Sequence, residues 1–107
     1  MRVGIDIDGT ITKLPEFYSI LTKGLLLSGH EVHIISYRKL DLYPYTRQQL
    51  KTWGIQYTYL RLSDQTTPAP EWKAKIVKEN ELNLFIDNDT DVLASLGEKV
   101  VKLCSVT

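Results

Sequence analysis

Short apolar runs alternate along the chain with segments whose apolar residues recur at helical spacing. The runs cover residues 3–7, 31–36, 56–60, 83–87 and 99–103. Because they are short and rich in β-branched or aromatic residues, they predict five strands. The segments between them predict helices over 15–27, 45–53, 71–80 and 90–96. This alternation predicts an α/β fold, a three-layer sandwich around a parallel, Rossmann-like sheet with right-handed crossovers.

The same pattern predicts which elements are buried. The first helix carries an apolar face that includes Phe17 and Ile20, and we expect this face to pack on the sheet. The run 56–60 mixes Tyr and Thr with apolar residues, which favours a strand at the sheet edge. Cys104 directly follows the apolar last run and is expected in the core.

Composition limits the classes of protein to which the chain can belong. Its 107 residues suit a single domain over residues 1–107, and 13 basic against 13 acidic residues exclude a strongly basic nucleic-acid coat. One cysteine cannot form an internal disulfide, and the N-terminus shows no signal-peptide pattern, which favours a cytoplasmic protein. No apolar run approaches the roughly 18 residues that span a bilayer, so no membrane partner is expected.

Polar side chains cluster where the predicted strands end. They are Asp6 and Asp8 after the first run, Ser36 and Arg38 after the second, and Asp87 after the fourth. Ligands of open parallel sheets bind beyond these carboxyl ends. Carboxylates that converge there repel one another unless a cation binds, and oxygen ligands favour Mg²⁺.

The most informative segment is Asp-Ile-Asp-Gly-Thr at residues 6–10. At a strand end, Asp6 can attack an electrophile, while Asp8 can carry a proton. Gly9 permits a tight turn with positive φ, and successive N–H groups there can form an anion cradle. The segment therefore predicts a phosphoryl group held against a metal ion.

Residues 6–10 resemble the first motif of the haloacid-dehalogenase-like phosphotransferases. Three further positions resemble the family's later motifs in order: Ser36 at the second strand end, Lys73 at the start of the helix before the fourth strand, and Asp87 at the end of that strand. The resemblance covers nearly the whole chain. It implies a Mg²⁺-dependent phosphatase built on a minimal core of this family.

The resemblance also implies a role for each residue. Asp6 would be the nucleophile that forms an aspartyl-phosphate, and it would bind Mg²⁺ through its other oxygen. Asp8 would protonate the leaving oxygen, activate water and bind the metal through its carbonyl, and Asp87 would complete the metal ligands. Ser36 would hold the phosphoryl group, and Lys73 would offset its charge.

Two assignments stay open at this point. Lys75 competes with Lys73 for the third motif, although Lys73 lies closer to the helix start. Many family members have a second acid directly after the fourth-motif aspartate, but this chain has Asn88 there. Either Asp89 or Asp91 would then support the metal.

The second motif carries a finer resemblance. Ser36-Tyr37-Arg38, followed by Thr46 and Trp53, is similar to the Ser-Gly-Arg…Thr…Trp pattern of polynucleotide 3′-phosphatase domains. This similarity implies a phosphate on a nucleotide or a nucleic-acid end. The residues expected to contact the substrate are Gly9, Thr10, Ser36, Tyr37 and Arg38.

The spacing of the motifs leaves no room for an inserted cap domain. About twenty residues separate Thr10 from Glu31, and one helix uses most of them. A capless, open site suits a nucleotide, nucleic-acid-end or macromolecular phosphate. The alternatives are a small-molecule phosphatase whose homo-oligomer partner serves as lid, a degenerate member that only binds phosphate or a partner, and a receiver-like signalling domain. The last is disfavoured because the third run ends without an aspartate.

Overall fold

Five parallel strands form one sheet in the order β3-β2-β1-β4-β5, with helices on both faces. The computed structural model describes residues 1–105. The strands are β1 (Arg2–Ile5), β2 (Glu31–Lys39), β3 (Tyr59–Ser63), β4 (Leu84–Asp87) and β5 (Val101–Cys104). The helices are α1 (Pro15–Leu27), α2 (Tyr43–Thr52), α3 (Ala69–Glu79) and α4 (Thr90–Ser95). The predicted fold class is confirmed.

The register of the sheet brings the ends of three strands together. Ile5 of β1 lies opposite Ile34 of β2 on one side and Ile86 of β4 on the other. Asp6 extends this pairing because its backbone N–H donates to the Ile86 carbonyl at 3.0 Å. The residues that follow these strands therefore meet at one edge of the sheet.

Two apolar clusters, one on each face, hold the layers together. Helices α1 and α2 pack on the face that presents Ile5 and Ile34, where Leu50 of α2 is fully buried. Helices α3 and α4 pack on the opposite face, around Phe85 and Val92. Burying one such side chain contributes about 1.5–3 kcal/mol. Within the described part of the chain, every helix is too short or too polar to span a bilayer.

The prediction for the buried face of α1 is wrong for Phe17 and Ile20, although Leu21 and Leu25 of the same helix do pack against the core. Phe17 is 48% exposed and Ile20 is 73% exposed, whereas Tyr18 and Thr22 are buried. The hydroxyl of Thr22 donates to the Tyr18 carbonyl at 2.7 Å, which satisfies a polar group on the buried side of the helix. Because a polar residue lies on the packed face, the spacing of apolar residues alone does not give the orientation of the helix.

The prediction that Cys104 belongs to the core is also wrong. Cys104 is exposed, as are the other three residues of β5. An open cleft of about 440 Å³ lies between α1 and β5, lined by Phe17, Leu21 and Leu103 among others. The apolar side chains of this edge strand therefore face a cleft instead of a packed helix. The prediction that the third strand lies at the opposite edge is confirmed, although β3 begins at Tyr59.

A buried histidine on β2 is held in its neutral form. His33 is 2% exposed, and its Nδ1 lies 2.7 Å from Nη1 of Arg61. A guanidinium can only donate, so Nδ1 accepts, and Nε2 carries the proton that faces Glu31 Oε1 at 2.9 Å. Burial lowers the pKa of His33, and the charge of Arg61 lowers it further, while Glu31 opposes both effects.

We expect this histidine to make folding stability depend on pH. Its pKa in the folded chain lies below the ordinary 6.5, so the unfolded chain binds the proton first as pH falls. Stability should therefore be fully present above pH 6.5 and decline below it, by at most about 1.4 kcal/mol per pH unit for one proton. Urea unfolding of the wild type and of His33→Gln between pH 7 and 5 measures this slope.

The control is His30→Gln, since His30 lies outside the core at the start of β2. The His33→Gln protein should lose less stability between pH 7 and 5 than the wild type, and His30→Gln should follow the wild type. A slope for His33→Gln as steep as that of the wild type would contradict the assignment.

Candidate active site

The carboxyl ends of β1, β2 and β4 and the start of α3 surround an open pocket of about 370 Å³. Seven residues that the sequence predicts for the site line this pocket: Asp6, Asp8, Ser36, Tyr37, Arg38, Lys73 and Asp87. The pocket is also lined by Ala69, Asn88 and Asp89. Gly9 and Thr10, which are also predicted to contact substrate, are not among the residues that line it.

One ammonium group joins the two carboxylates of the central strands. Lys73 Nζ lies 2.8 Å from Asp6 Oδ1 and 2.8 Å from Asp87 Oδ2. All three side chains are almost completely buried. The side chain of Lys75 is 71% exposed and lies 3.9 Å from Glu79. Of the two candidate lysines, the structure therefore brings Lys73 to the site.

Burial and mutual contact shift the pKa values of Asp6 and Lys73. Burial raises the pKa of Asp6 to about 6, since the positive charge of Lys73 only partly offsets the effect and Asp87 adds to it. Burial opposes the charge on Lys73, but Asp6 and Asp87 together raise its pKa above the ordinary value. The lysine is thus held as a cation. Two carboxylates share one positive charge, so the centre carries a net negative charge near neutral pH.

The loop after β1 fixes the orientation of Asp6. Thr10 is fully buried, and its hydroxyl donates to Asp6 Oδ2 at 3.3 Å. The Gly9 N–H donates to the hydroxyl oxygen of Thr12 at 2.9 Å. Both groups, which the sequence assigns to substrate, are here engaged within the loop, and the Thr10 hydroxyl holds the Asp6 carboxylate in place.

Asn88 fills the space above this loop. With its amide oriented by its hydrogen-bond partners, its nitrogen donates to Asp6 Oδ2 and the Asp8 carbonyl at 3.1 Å and to Asp87 Oδ1 at 3.2 Å. Gly9 has a φ of +85°, and a Cβ at this position would lie 2.6 Å from Cγ of Asn88. Glycine is therefore required both by the turn and by the approach of Asn88.

A second ion pair covers the mouth of the pocket. The guanidinium of Arg38 donates to both carboxylate oxygens of Asp8, at 2.9 and 2.8 Å. The same group donates to Thr46 at 3.2 Å and to Gln49 at 2.6 Å, both on α2. The hydrogen bond from Arg38 to Asp8 raises the pKa of the guanidinium. Sequence reasoning did not identify Gln49, although its spacing of three residues from Thr46 places both on one helix face.

Ser36 and Tyr37 lie side by side on β2, and Tyr37 connects this strand to the loop before α3. Ser36 is buried, and its hydroxyl accepts a hydrogen bond from the Arg38 backbone N–H at 3.2 Å. The hydroxyl of Tyr37 donates to the Thr67 carbonyl at 2.5 Å, and its ring packs edge-on against Trp72 at 5.9 Å. Tyr37 therefore holds the start of the helix that carries the buried lysine.

The acids after β4 have a structural explanation. Asp89 is the N-cap of α4, where its carboxylate accepts from the N–H groups of Asp91 and Val92. Asp91 is exposed in the first turn of that helix. Among residues 1–105, no group of three His, Cys, Asp or Glu side chains is arranged to hold a metal ion. The three oxygens around Asn88 do not form such a group of side chains, because one of them is the backbone carbonyl of Asp8.

Comparisons with known proteins establish the fold. No family model matches the chain, and no curated protein matches it. A chain from the structure of a Pnkp1/Rnl/Hen1 complex matches with a TM-score of 0.73 at 17% identity, over 98% of this chain and 47% of that one. A universal stress protein in complex with cAMP matches with a TM-score of 0.66 at 16% identity, over 99% and 96%. The chain spans about half the length of the first of these proteins. At such identities the likeness supports a shared α/β architecture.

Proposed function

We propose that this protein is a Mg²⁺-dependent phosphomonoester hydrolase of the haloacid-dehalogenase-like type, with Asp6 as the nucleophile. One observation carries the proposal. The carboxylates of Asp6 and Asp87 project from adjacent strands onto a buried lysine, and each keeps a second oxygen directed, with the Asp8 carbonyl, at a common point. A structural ion pair alone does not need a third oxygen at that point.

The oxygens at that point fit a hard cation. Asp6, Asp87 and the carbonyl of Asp8 would hold Mg²⁺, which binds oxygen ligands through one or two carboxylates and keeps several waters. The ion would supply positive charge to the phosphoryl oxygens and to a centre that Lys73 leaves negative.

The remaining residues can carry a two-step transfer. A carboxylate oxygen of Asp6 attacks phosphorus, the ester P–O bond breaks, and the leaving oxygen takes a proton from Asp8. Water then loses a proton to Asp8 as it attacks the aspartyl-phosphate, which returns Asp6 and releases phosphate. Lys73 and Ser36 stabilise negative charge on the transferred group, and such contacts are worth on the order of 3–4 kcal/mol each.

Asp8 must leave Arg38 before it can donate a proton. In the present conformation both oxygens of its carboxylate accept hydrogen bonds from the guanidinium. A phosphate competes well for a guanidinium because it accepts the same bidentate pair. We infer that an arriving substrate takes over Arg38 and releases Asp8, which takes up a proton from solvent and turns toward the reacting atoms.

Three features favour a phosphate on a nucleotide or a nucleic-acid end. The pocket is open, and Arg38 with Thr46 reproduces part of the pattern of polynucleotide 3′-phosphatases. Tyr45 is exposed beside the site, with the Arg38 guanidinium 6.0 Å from its ring centre, and a base can stack on such a ring.

A phosphate-release panel tests the activity and the substrate class together. We expect release with Mg²⁺ from 3′- or 5′-phosphorylated oligonucleotides or from nucleotides, and slower release from sugar phosphates and phosphopeptides. Chelation with EDTA should reduce the rate to background, and added Mg²⁺ should restore it. Release from no substrate would contradict the activity. Release from sugar phosphates alone would contradict the substrate class.

A further inference from the structure

We propose that Asn88 is a gate on the cation site: its side-chain amide occupies the cation position in the metal-free protein and must leave before Mg²⁺ binds. This inference rests on the proposed function, because it concerns the same oxygens. It assigns a role to the residue that stands where a second acid is usual in the resembling family. Asn88 would compete with the ion for these oxygens and would not itself be a ligand of the ion.

The first argument is the identity of the three acceptors. The Asn88 nitrogen lies within 3.1–3.2 Å of Asp6 Oδ2, Asp87 Oδ1 and the Asp8 carbonyl, the same atoms that would bind the ion. An amide NH₂ group only donates, so it presents partial positive charge to these oxygens. Mg²⁺ would need these same oxygens at about 2.0–2.1 Å, and an NH₂ group that donates to them would direct its partial positive charge at the ion. The amide and the ion therefore exclude each other.

The second argument is how the carboxylate oxygens are shared. Lys73 donates to Asp6 Oδ1 and Asp87 Oδ2, while Asn88 donates to the other oxygen of each carboxylate. The lysine alone would leave two buried oxygens of like charge facing each other. The amide stabilises them in the orientation that a cation needs, and this stabilisation is lost when the ion enters.

The third argument is the space around the side chain. Gly9 leaves the volume that the amide fills, because a Cβ there would lie 2.6 Å from Cγ of Asn88. Asn88 itself is an exposed residue between β4 and α4, so its side chain can rotate into solvent without opening the core. The structure thus provides space for the amide beside Gly9 and allows the side chain to rotate away from it.

The experiment measures Mg²⁺ affinity of the metal-free protein by isothermal titration calorimetry. We expect Asn88→Ala to bind Mg²⁺ about tenfold more tightly than the wild type, equivalent to about 1.4 kcal/mol. The thermal stability of the variant should be lower than that of the wild type without Mg²⁺ and equal to it at saturation. The matched control is Asn83→Ala, at the opposite end of β4, which should bind Mg²⁺ as the wild type does.

The sign of the change decides the inference. If Asn88 bound the ion directly or through water, Asn88→Ala would bind Mg²⁺ more weakly, and that result or an unchanged affinity overturns the gate. No binding by either protein also overturns it. Tighter binding by Asn88→Ala together with no phosphate release from any substrate would uphold the gate and contradict the proposed hydrolase. Phosphate release together with weaker binding would do the reverse.

Discussion

Asp6→Asn is expected to abolish phosphate release and to leave the domain folded. The asparagine keeps the shape of the side chain, but its amide cannot attack phosphorus. Turnover should fall by at least about 10³-fold, as it does when a covalent catalyst loses its nucleophile. Folding should tolerate the change because burial raises the pKa of Asp6 to about 6, which means that its charge is unfavourable in place, and Lys73 keeps Asp87 as a partner.

Initial rates with Mg²⁺ and urea unfolding of the same preparation separate catalysis from stability. The control is Asp41→Asn, which makes the same chemical change at an exposed position before α2 and should keep the wild-type rate. Acid-quenched wild-type protein should carry phosphate on the peptide that contains Asp6. An Asp6→Asn protein that turns over within tenfold of the wild type would exclude the aspartyl-phosphate route.

The adjacency of Asp6 and Asp87 is predictable from the sequence for a topological reason. Each residue follows an apolar run that reads as a central parallel strand, and parallel strands end at one edge of the sheet. The position of Lys73 depends on a finer detail. Lys73 and Lys75 differ by about 200° around a helix, so the choice between them requires the helix start. That start is Ala69, two residues before the predicted position.

Other parts of the site depend on side-chain packing that no periodic pattern encodes. The pairing of Asp8 with Arg38 requires Gln49 and Thr46 to hold the guanidinium from a helix eight to eleven residues away. The Asn88 side chain fits beside the loop because Gly9, nearly eighty residues earlier in the sequence, lacks a side chain. The exposure of Cys104 likewise depends on what packs against β5, since an apolar strand has the same sequence pattern whether or not a helix covers it.

Tyr37 contacts both the loop before α3 and the first turns of this helix, which carries Lys73. The position after the motif serine is glycine in the resembling pattern and tyrosine here. Its hydroxyl holds the Thr67 carbonyl and its ring holds Trp72, the residue before the buried lysine. The lysine is therefore positioned by packing from β2 as well as by its two carboxylates.

Lys73→Met should be the most destabilising single change at the site. Methionine fills similar volume without charge, and it leaves the carboxylates of Asp6 and Asp87 buried with no cation between them. Breaking a buried pair in this way costs about 3–5 kcal/mol of folding free energy. Phosphate release should fall as well, since the charge that faces the transferred group is lost. The matched control, Lys75→Met, removes an exposed partner of Glu79 and should change stability by less than about 1 kcal/mol.

Urea unfolding with and without Mg²⁺ measures the effect and its origin. Because the loss arises from two unpaired carboxylates, Mg²⁺ should restore more stability to Lys73→Met than to the wild type. Adding Asp6→Asn should also recover part of the loss, since one of the two charges is then removed and the two changes are not additive. Equal destabilisation by Lys73→Met and Lys75→Met, or no recovery in the double variant, would show that the ammonium does not hold the two strands' carboxylates together.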